Sequence, residues 1–134
     1  MWLEGQQAMS EESDMKRIKK TDPQTLRLIE GLKKASREKE APIWRDIAKR
    51  LEKPRRSWAE VNISRISRYA KKGEQVIVPG KLLGSGEIDF PVVVAAVKAS
   101  RQAEIKIKEA GGEVITIEEL MKRNPRGERV RILG

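Results

Sequence analysis

Gln75-Val76-Ile77-Val78-Pro79-Gly80-Lys81-Leu82-Leu83-Gly84-Ser85-Gly86 is the stretch on which the fold turns. Gln75 to Val78 reads as a strand, Pro79-Gly80 punctuates it, and Lys81 to Gly86 reads as a loop. Downstream, Pro91 to Ala99 is rich in Val and Ala and reads as a strand, although its apolar content alone also fits a buried helix. Ser100 stands as N-cap of a helix through Ala110, which Gly111-Gly112 closes with residues suited to positive φ. Glu113 to Ile115 follows as a strand. Thr116 with Glu119 forms a capping box for a short helix ending before Asn124-Pro125, and Arg129 to Leu133 alternates like an edge strand or extended tail. Upstream, Val61-Asn62-Ile63 alternates as a short strand, and Ser64 caps a short helix that turns Ile66 and Tyr69 inward until Gly73 ends it. Short strands interleaved with helices after Val61 make the fold class mixed α/β.

Ahead of this region the pattern is helical. Asp22 as N-cap with Pro23 at the first helical position starts a helix in which Leu26, Ile29 and Leu32 share a face, ending near Ser36. Ala41-Pro42 opens a second, where Ile43, Ile47 and Leu51 recur at intervals of four with Trp44 and Ala48 beside them; Pro54 stops it. Arg45, Lys49 and Lys53 form a parallel row on that helix with Arg50 nearby, so one flank is basic and the other apolar.

The charge is unevenly placed. The 134 residues carry 29 Lys and Arg against 20 Asp and Glu, a net +9. Met1 to Met15 has four acids and no base; Lys16 to Lys81 has 20 bases against 8 acids; Leu82 to Gly134 is nearly balanced, with 9 against 8. A solvated, salt-bridged surface interleaves the two signs, whereas a one-sided surplus of this size marks a surface for phosphates. A membrane surface is the rival anionic partner, but no apolar run approaches the roughly 18 residues that span a bilayer, and Met1 to Met15 lacks the apolar block of a signal peptide. That opening segment reads as an acidic, disordered extension, a vector remnant or the product of an early start codon, with Met9 and Met15 as alternative starts. These points favour the cytoplasm.

Chemistry is poorly provided for. Leu, Ile, Val and Phe make up about a quarter of the chain, enough for one modest core. There is no Cys and no His, which removes disulfides, the usual structural zinc ligands and the commonest proton-transfer side chain. Gly84-Ser85-Gly86 is a weak phosphate-loop candidate, because Glu87 to Pro91 separates it from any helix, and Gly80-Lys81 is followed by Leu82 rather than Ser or Thr. Glu87 and Asp89 lack the spacing of a calcium loop. The expectation is a protein that is not an enzyme, with no cofactor, no metal and no small-molecule substrate.

Candidate contacts for nucleic acid are instead abundant. Lys16, Arg17, Lys19 and Lys20 form a short basic arm. Arg45, Lys49, Arg50 and Lys53 line the second helix. In Pro54-Arg55-Arg56-Ser57-Trp58, two guanidinium groups that suit bidentate phosphate contacts stand beside an indole that either stacks on a base or packs under the loop. Asn62 is a base-contact candidate. Arg65, Arg68, Lys71 and Lys72 project from the short helix, and Lys81 and Arg101 border a turn and a helix start where backbone N–H groups also suit an anion.

In combination and order, several motifs resemble one family. These are Ala41-Pro42-Ile43-Trp44-Arg45-Asp46-Ile47-Ala48, Pro54-Arg55-Arg56-Ser57-Trp58-Ala59-Glu60-Val61-Asn62 and Val78-Pro79-Gly80-Lys81-Leu82-Leu83-Gly84. The likeness continues through Val94-Ala95-Ala96, Ser100 with Ala103, Ala110-Gly111-Gly112, Asn124-Pro125-Arg126-Gly127 and Val130-Arg131-Ile132, covering Thr21 to Gly134. The chain looks like a member of the archaeal large-subunit ribosomal protein family called L-eighteen-e, relatives of bacterial L-fifteen. The resemblance implies a small three-layer domain of irregular β-β-α turns behind a basic helical region, no catalysis, and a place in the large ribosomal subunit. It implies rRNA and neighbouring ribosomal proteins as partners, with no membrane and no homo-oligomer. The organisation expected is an acidic extension at 1–15, a basic arm and helical rRNA-binding region at 16–60, and an α/β domain at 61–134. A free basic DNA-binding or chromatin protein is the alternative that the charge alone leaves open.

Overall fold

The computed structural model describes residues 22–134. The acidic extension and the basic arm of Lys16, Arg17, Lys19 and Lys20 lie outside the described residues.

β2 (Gln75–Leu83) is the spine of the sheet. It does not stop at Pro79-Gly80 as its punctuation suggests. Proline has no N–H to give a ladder and sits in sheets only at edges or irregularities. Here Pro79-Gly80 falls where the register against β3 (Val93–Ala99) slips, between Val78 and Lys81, so the strand passes through at the cost of one irregularity. Gly80 is required for another reason, since a Cβ there would strike the backbone of Ala59 on the neighbouring strand. Within Pro91 to Ala99, Val93–Ala99 resolves as strand rather than helix, with Pro91 and Val92 leading into it.

All pairings are parallel. β1 (Ala59–Asn62) lies on one side of β2 with Ala59 opposite Gly80, and β3 lies on the other. β4 (Glu113–Thr116) pairs with β3 beyond it. β5 (Val130–Ile132) pairs with Gln75 to Ile77, the half of β2 that β1 leaves uncovered. β5 and β1 therefore share one flank end to end, and a side chain on Gly134 would meet Ala59.

Helices cover both faces. α1 (Pro23–Lys39), α2 (Pro42–Leu51) and α5 (Ile117–Arg123) pack on one, burying Leu32, Trp44, Ile47, Leu51 and Leu120 against Ile77 and Ala95. α3 (Ile63–Tyr69) and α4 (Arg101–Glu109) cover the other, burying Ile63, Ile66 and Ile107 against Val76, Val78, Leu82 and Val94. Alternate residues of β2 and β3 thus feed opposite cores, as the two-residue period of a strand demands. Each fully buried Leu or Ile contributes about 1.5–3 kcal/mol relative to exposure. The fold is mixed α/β in three layers, and β2, the loop to β3, and α4 make one β-β-α turn.

The helix ends follow their capping chemistry. Asp22 accepts from the Gln24 amide at 2.9 Å, Ser100 from Ala103 at 3.2 Å, and Thr116 from Glu119 at 3.0 Å. α1 runs to Lys39 rather than Ser36, closing through Glu40 at φ 50 with the Ala41 amide donating to the Ser36 carbonyl. Gly111 takes φ 90 as expected, but Gly112 does not; it is glycine because the Val92 backbone leaves no room for a Cβ. The Glu119 side chain bonds Arg123, not the Thr116 amide, so only half of the expected box forms.

The largest local departure concerns α3. Its N-cap is Asn62, whose side chain makes no capping bond, and Ser64 lies inside the helix. The orphan Ser64 amide is satisfied instead by the Ser85 carbonyl at 3.0 Å. Gly84-Ser85-Gly86 is thus a capping loop. Its other carbonyls face a cation: Lys106 Nζ donates to the Gly84 and Gly86 carbonyls at 2.8 and 2.6 Å and meets Glu87 at 3.3 Å. A loop whose carbonyls line its concavity repels phosphate, which disposes of the only nucleotide-loop candidate. Tyr69, expected inward, is 48% exposed. Ile63, Ile66 and Ala70 occupy the buried stripe, and Tyr69 falls just off it.

Candidate nucleic-acid interface

α2 separates its two flanks as its period requires. Trp44, Ile47, Ala48 and Leu51 are buried while Arg45 and Lys49 are exposed, as is Lys53 just beyond the helix. Among the described residues none of these three cations has an acid within ion-pair range. Arg50 differs, being half-buried, bonded to the Gly134 carbonyl at 3.0 Å and near Asp46 at 3.4 Å. It ties the end of the chain to α2.

The segment after α2 is a single 3-10 turn, Arg55–Ser57, with all three residues exposed. Trp58 Nε1 donates to the Lys53 carbonyl at 3.0 Å and the Leu51 carbonyl at 3.3 Å, satisfying acceptors that the end of α2 leaves orphaned. Its ring packs on the core beneath, and the Arg55 guanidinium lies 5.5 Å from its centroid. The indole N–H is therefore engaged by the fold. Arg55 also reaches Asp22 at 3.5 Å, whereas Arg56 has no acid in range among the described residues.

Across the sheet, Arg65, Arg68, Lys71 and Lys72 are exposed on and just after α3, again with no acid in range among the described residues. Asn62 is half-buried at the head of α3. Arg101 is exposed at the first position of α4. Lys81 is exposed on β2, in register with Glu60 on β1 and Lys98 on β3. The candidates do not form one patch. The α2 and Arg55–Arg56 group stands in one helical layer and the α3 group in the other, joined by edge strand β1.

Several cations escaped the sequence reading. Arg27, Lys34, Arg37 and Lys39 of α1 are exposed and free of acids within range among the described residues. The positive count over Lys16 to Lys81 contained them, but no motif singled them out. Arg27 and Lys98 also converge with Arg55 and Lys81 around a cleft of about 560 Å³ between α1 and the sheet, whose walls carry Asp22, Glu60 and Glu118 as well. Only the parallel register brings those residues together, so no linear signal could have found them.

Two forked ion pairs brace the fold at its partly exposed surface. Arg131 forks onto Glu74 through Nε and a terminal nitrogen at 3.0 and 3.2 Å, and the Glu74 carboxyl also accepts from the Lys71 amide at 2.8 Å. The fork and that amide hold Glu74 below the usual carboxylate range. Arg123 forks onto Glu113 at 2.9 and 3.3 Å and bonds Glu119 at 3.1 Å, which lowers Glu113 likewise and raises Arg123 further. No group of acids suited to a metal ion occurs among the described residues, and none of the described helices is long and apolar enough to cross a membrane.

A parallel sheet between two helical layers, with cations unpaired among the described residues on both layers, defines a basic α/β/α scaffold protein. The chain belongs to the family described as "Ribosomal protein 60S L18 and 50S L18e", whose profile matches residues 3–134. It is 56% identical over 116 residues to a large ribosomal subunit protein eL18 of Methanoregula boonei, covering 87% of this chain and 96% of that one. Against the protein of the same description from Archaeoglobus fulgidus the identity is 52% over 116 residues, covering 87% and 99%. Against that of Methanococcus maripaludis it is 48% over 120 residues, covering 90% and 100%.

Proposed function

We propose that this protein is a structural, non-catalytic constituent of the large ribosomal subunit in the cytoplasm, where it binds folded rRNA through phosphate contacts and abuts neighbouring ribosomal proteins. Family membership supports the ribosomal role. The observation that carries the RNA-binding reading is that Arg45, Lys49, Lys53, Arg56, Arg65, Arg68, Lys71, Lys72, Lys81 and Arg101 have no acid within ion-pair range among the described residues, while Asp22, Asp46, Glu52, Glu74 and Glu113 are engaged by other cations. Unpaired cations held by a folded scaffold position RNA without reading its sequence; selectivity then comes from the shape of the folded RNA. The basic arm and helices of residues 16–60 form one part of the grip, and the α/β portion of residues 61–134 the other.

Neutralising about six to ten phosphates makes affinity fall by orders of magnitude between about 50 and 200 mM salt. The test is a salt titration of binding to in-vitro-transcribed large-subunit rRNA, with duplex DNA of equal length as competitor. A steep slope with rRNA preferred supports the proposal. Flat salt dependence, or equal affinity for DNA, overturns it in favour of another partner or a free DNA-binding protein.

A further inference from the structure

Tyr69 is the chain's single tyrosine and, with Ile105, one of two large apolar side chains exposed among the described residues. A lone exposed apolar residue needs no explanation by itself. The surroundings of Tyr69 are what set it apart. Arg65 lies one turn earlier with its guanidinium 5.9 Å from the ring centroid, Arg68 precedes it, and Lys71 and Lys72 follow within three residues. All four cations are exposed. The residues around the ring therefore offer a flat aromatic surface bordered by positive charge, with no carboxylate bonded to any of the four side chains among the described residues. Glu74, the nearest acid in sequence, is turned toward Arg131 and meets Lys71 through its backbone amide.

We propose that this face of α3 holds an unpaired rRNA nucleotide, its base stacked on the Tyr69 ring and its flanking phosphates met by Arg65, Arg68, Lys71 and Lys72. The inference rests on the rRNA-binding reading above and adds a base contact to it. An exposed aromatic within a cationic rim is the arrangement by which proteins hold single-stranded nucleic acid: every base has a π face, and the rim follows the backbone. Base-paired RNA keeps its bases stacked inside the helix, so the ring selects a splayed-out nucleotide over a duplex. Trp58, the other aromatic beside exposed arginines, is less suited, because its N–H is bonded to the end of α2 and its half-buried ring packs on the core. At Tyr69 the rotatable Arg65 side chain either makes way for a base or stacks on its far side.

The experiment measures binding of the full chain to in-vitro-transcribed large-subunit rRNA across a salt series, for wild type and five variants. Tyr69→Ala and Tyr69→Leu should each lose roughly 5- to 150-fold in affinity, the range of one base–aromatic stack. The slope against log salt should stay unchanged, because no charge is removed. Tyr69→Phe and Tyr69→Trp should bind within about threefold of wild type. Arg65→Ala should instead lower the slope by about 0.7 to 0.9, the signature of one lost phosphate contact. The Leu variant keeps apolar bulk, so a merely structural ring predicts that Leu binds normally, and that result overturns the proposal. Equal loss in Phe and Ala points to a hydroxyl hydrogen bond and also overturns it. Should wild type bind rRNA steeply while Tyr69→Ala is unaffected, the stack falls and the ribosomal reading stands. If wild type fails to bind rRNA, both fall.

Discussion

The stretch from Pro42 to Lys72 and the stretch from Lys106 to Arg131 differ in how far the fold consumes their cationic side chains. In the later stretch Lys106, Arg123 and Arg131 are consumed by the fold, one holding a loop by its carbonyls and the other two forking onto Glu113 and Glu74, while Lys108, Lys122, Arg126 and Arg129 stay exposed with no acid in range among the described residues. In the earlier stretch only Arg50 and Arg55 touch an acid among the described residues, and both do so at the long end of ion-pair range. Charge count alone therefore says little about duty. What separates a brace from a free cation is whether a carboxylate or a backbone carbonyl lies within its reach.

The two stretches share one foundation. Trp44 is fully buried, and its Nε1 donates to the Pro125 carbonyl at 2.7 Å, so one residue of the earlier stretch fastens the Asn124–Gly127 turn of the later one. Trp44→Ala should cost about 3–5 kcal/mol in urea unfolding. A loss below about 1 kcal/mol would show that the two stretches do not depend on each other.

Removing Arg56, Arg68, Lys71 and Lys72 together to Ala should lower rRNA affinity about a hundredfold or more at low salt and flatten the salt slope by about three, with the melting temperature nearly unchanged. A quadruple variant that unfolds would mean these cations are braces after all. The opposite outcome is expected at Lys106. Lys106→Met leaves the Gly84 and Gly86 carbonyls without their donor, at about 1–3 kcal/mol, and should speed amide exchange in the loop and at Ser64 without altering the salt slope.

The smallest effect is electrostatic. Glu74 and Glu113 have folded pKa values below their unfolded ones, so their contribution is fully present above the ordinary carboxylate pKa and is lost as pH falls through the depressed folded values. Stability should decline on the acid side of that range, and Glu74→Gln with Glu113→Gln should blunt the decline while leaving it flat near neutrality. Melting temperatures between pH 3 and 7 would measure it, and an unaltered acid limb in the double variant would remove these pairs from the account.

Much of the fold was legible because its signals are local. Asp22-Pro23, Ser100 and Thr116 start helices by bonds spanning two or three residues, and the four-residue spacing of Ile43, Ile47 and Leu51 is that of a helix face. What escaped depends on distant partners. Pro79-Gly80 reads as a stop until Ala59 is seen beside Gly80, and Ser64 reads as a cap until the Ser85 carbonyl is seen to replace it. The outward turn of Tyr69 follows from a small angular offset on a seven-residue helix, which periodicity over so short a span cannot resolve. For the candidate interface, the surplus of charge was readable and its division between two layers was not, because the layers exist only once β1, β2 and β3 align.

The wholly parallel sheet has a consequence in time. Adjacent antiparallel strands close through a tight turn, but parallel neighbours need a long crossover, and here β5 must find Gln75 to Ile77 from Val130 onward. No hairpin exists among the described residues to seed the sheet, and each pairing carries its full loop-closure penalty before any reward. Refolding from denaturant should accordingly be slower than for a helical bundle of equal length, on the order of milliseconds to seconds rather than microseconds.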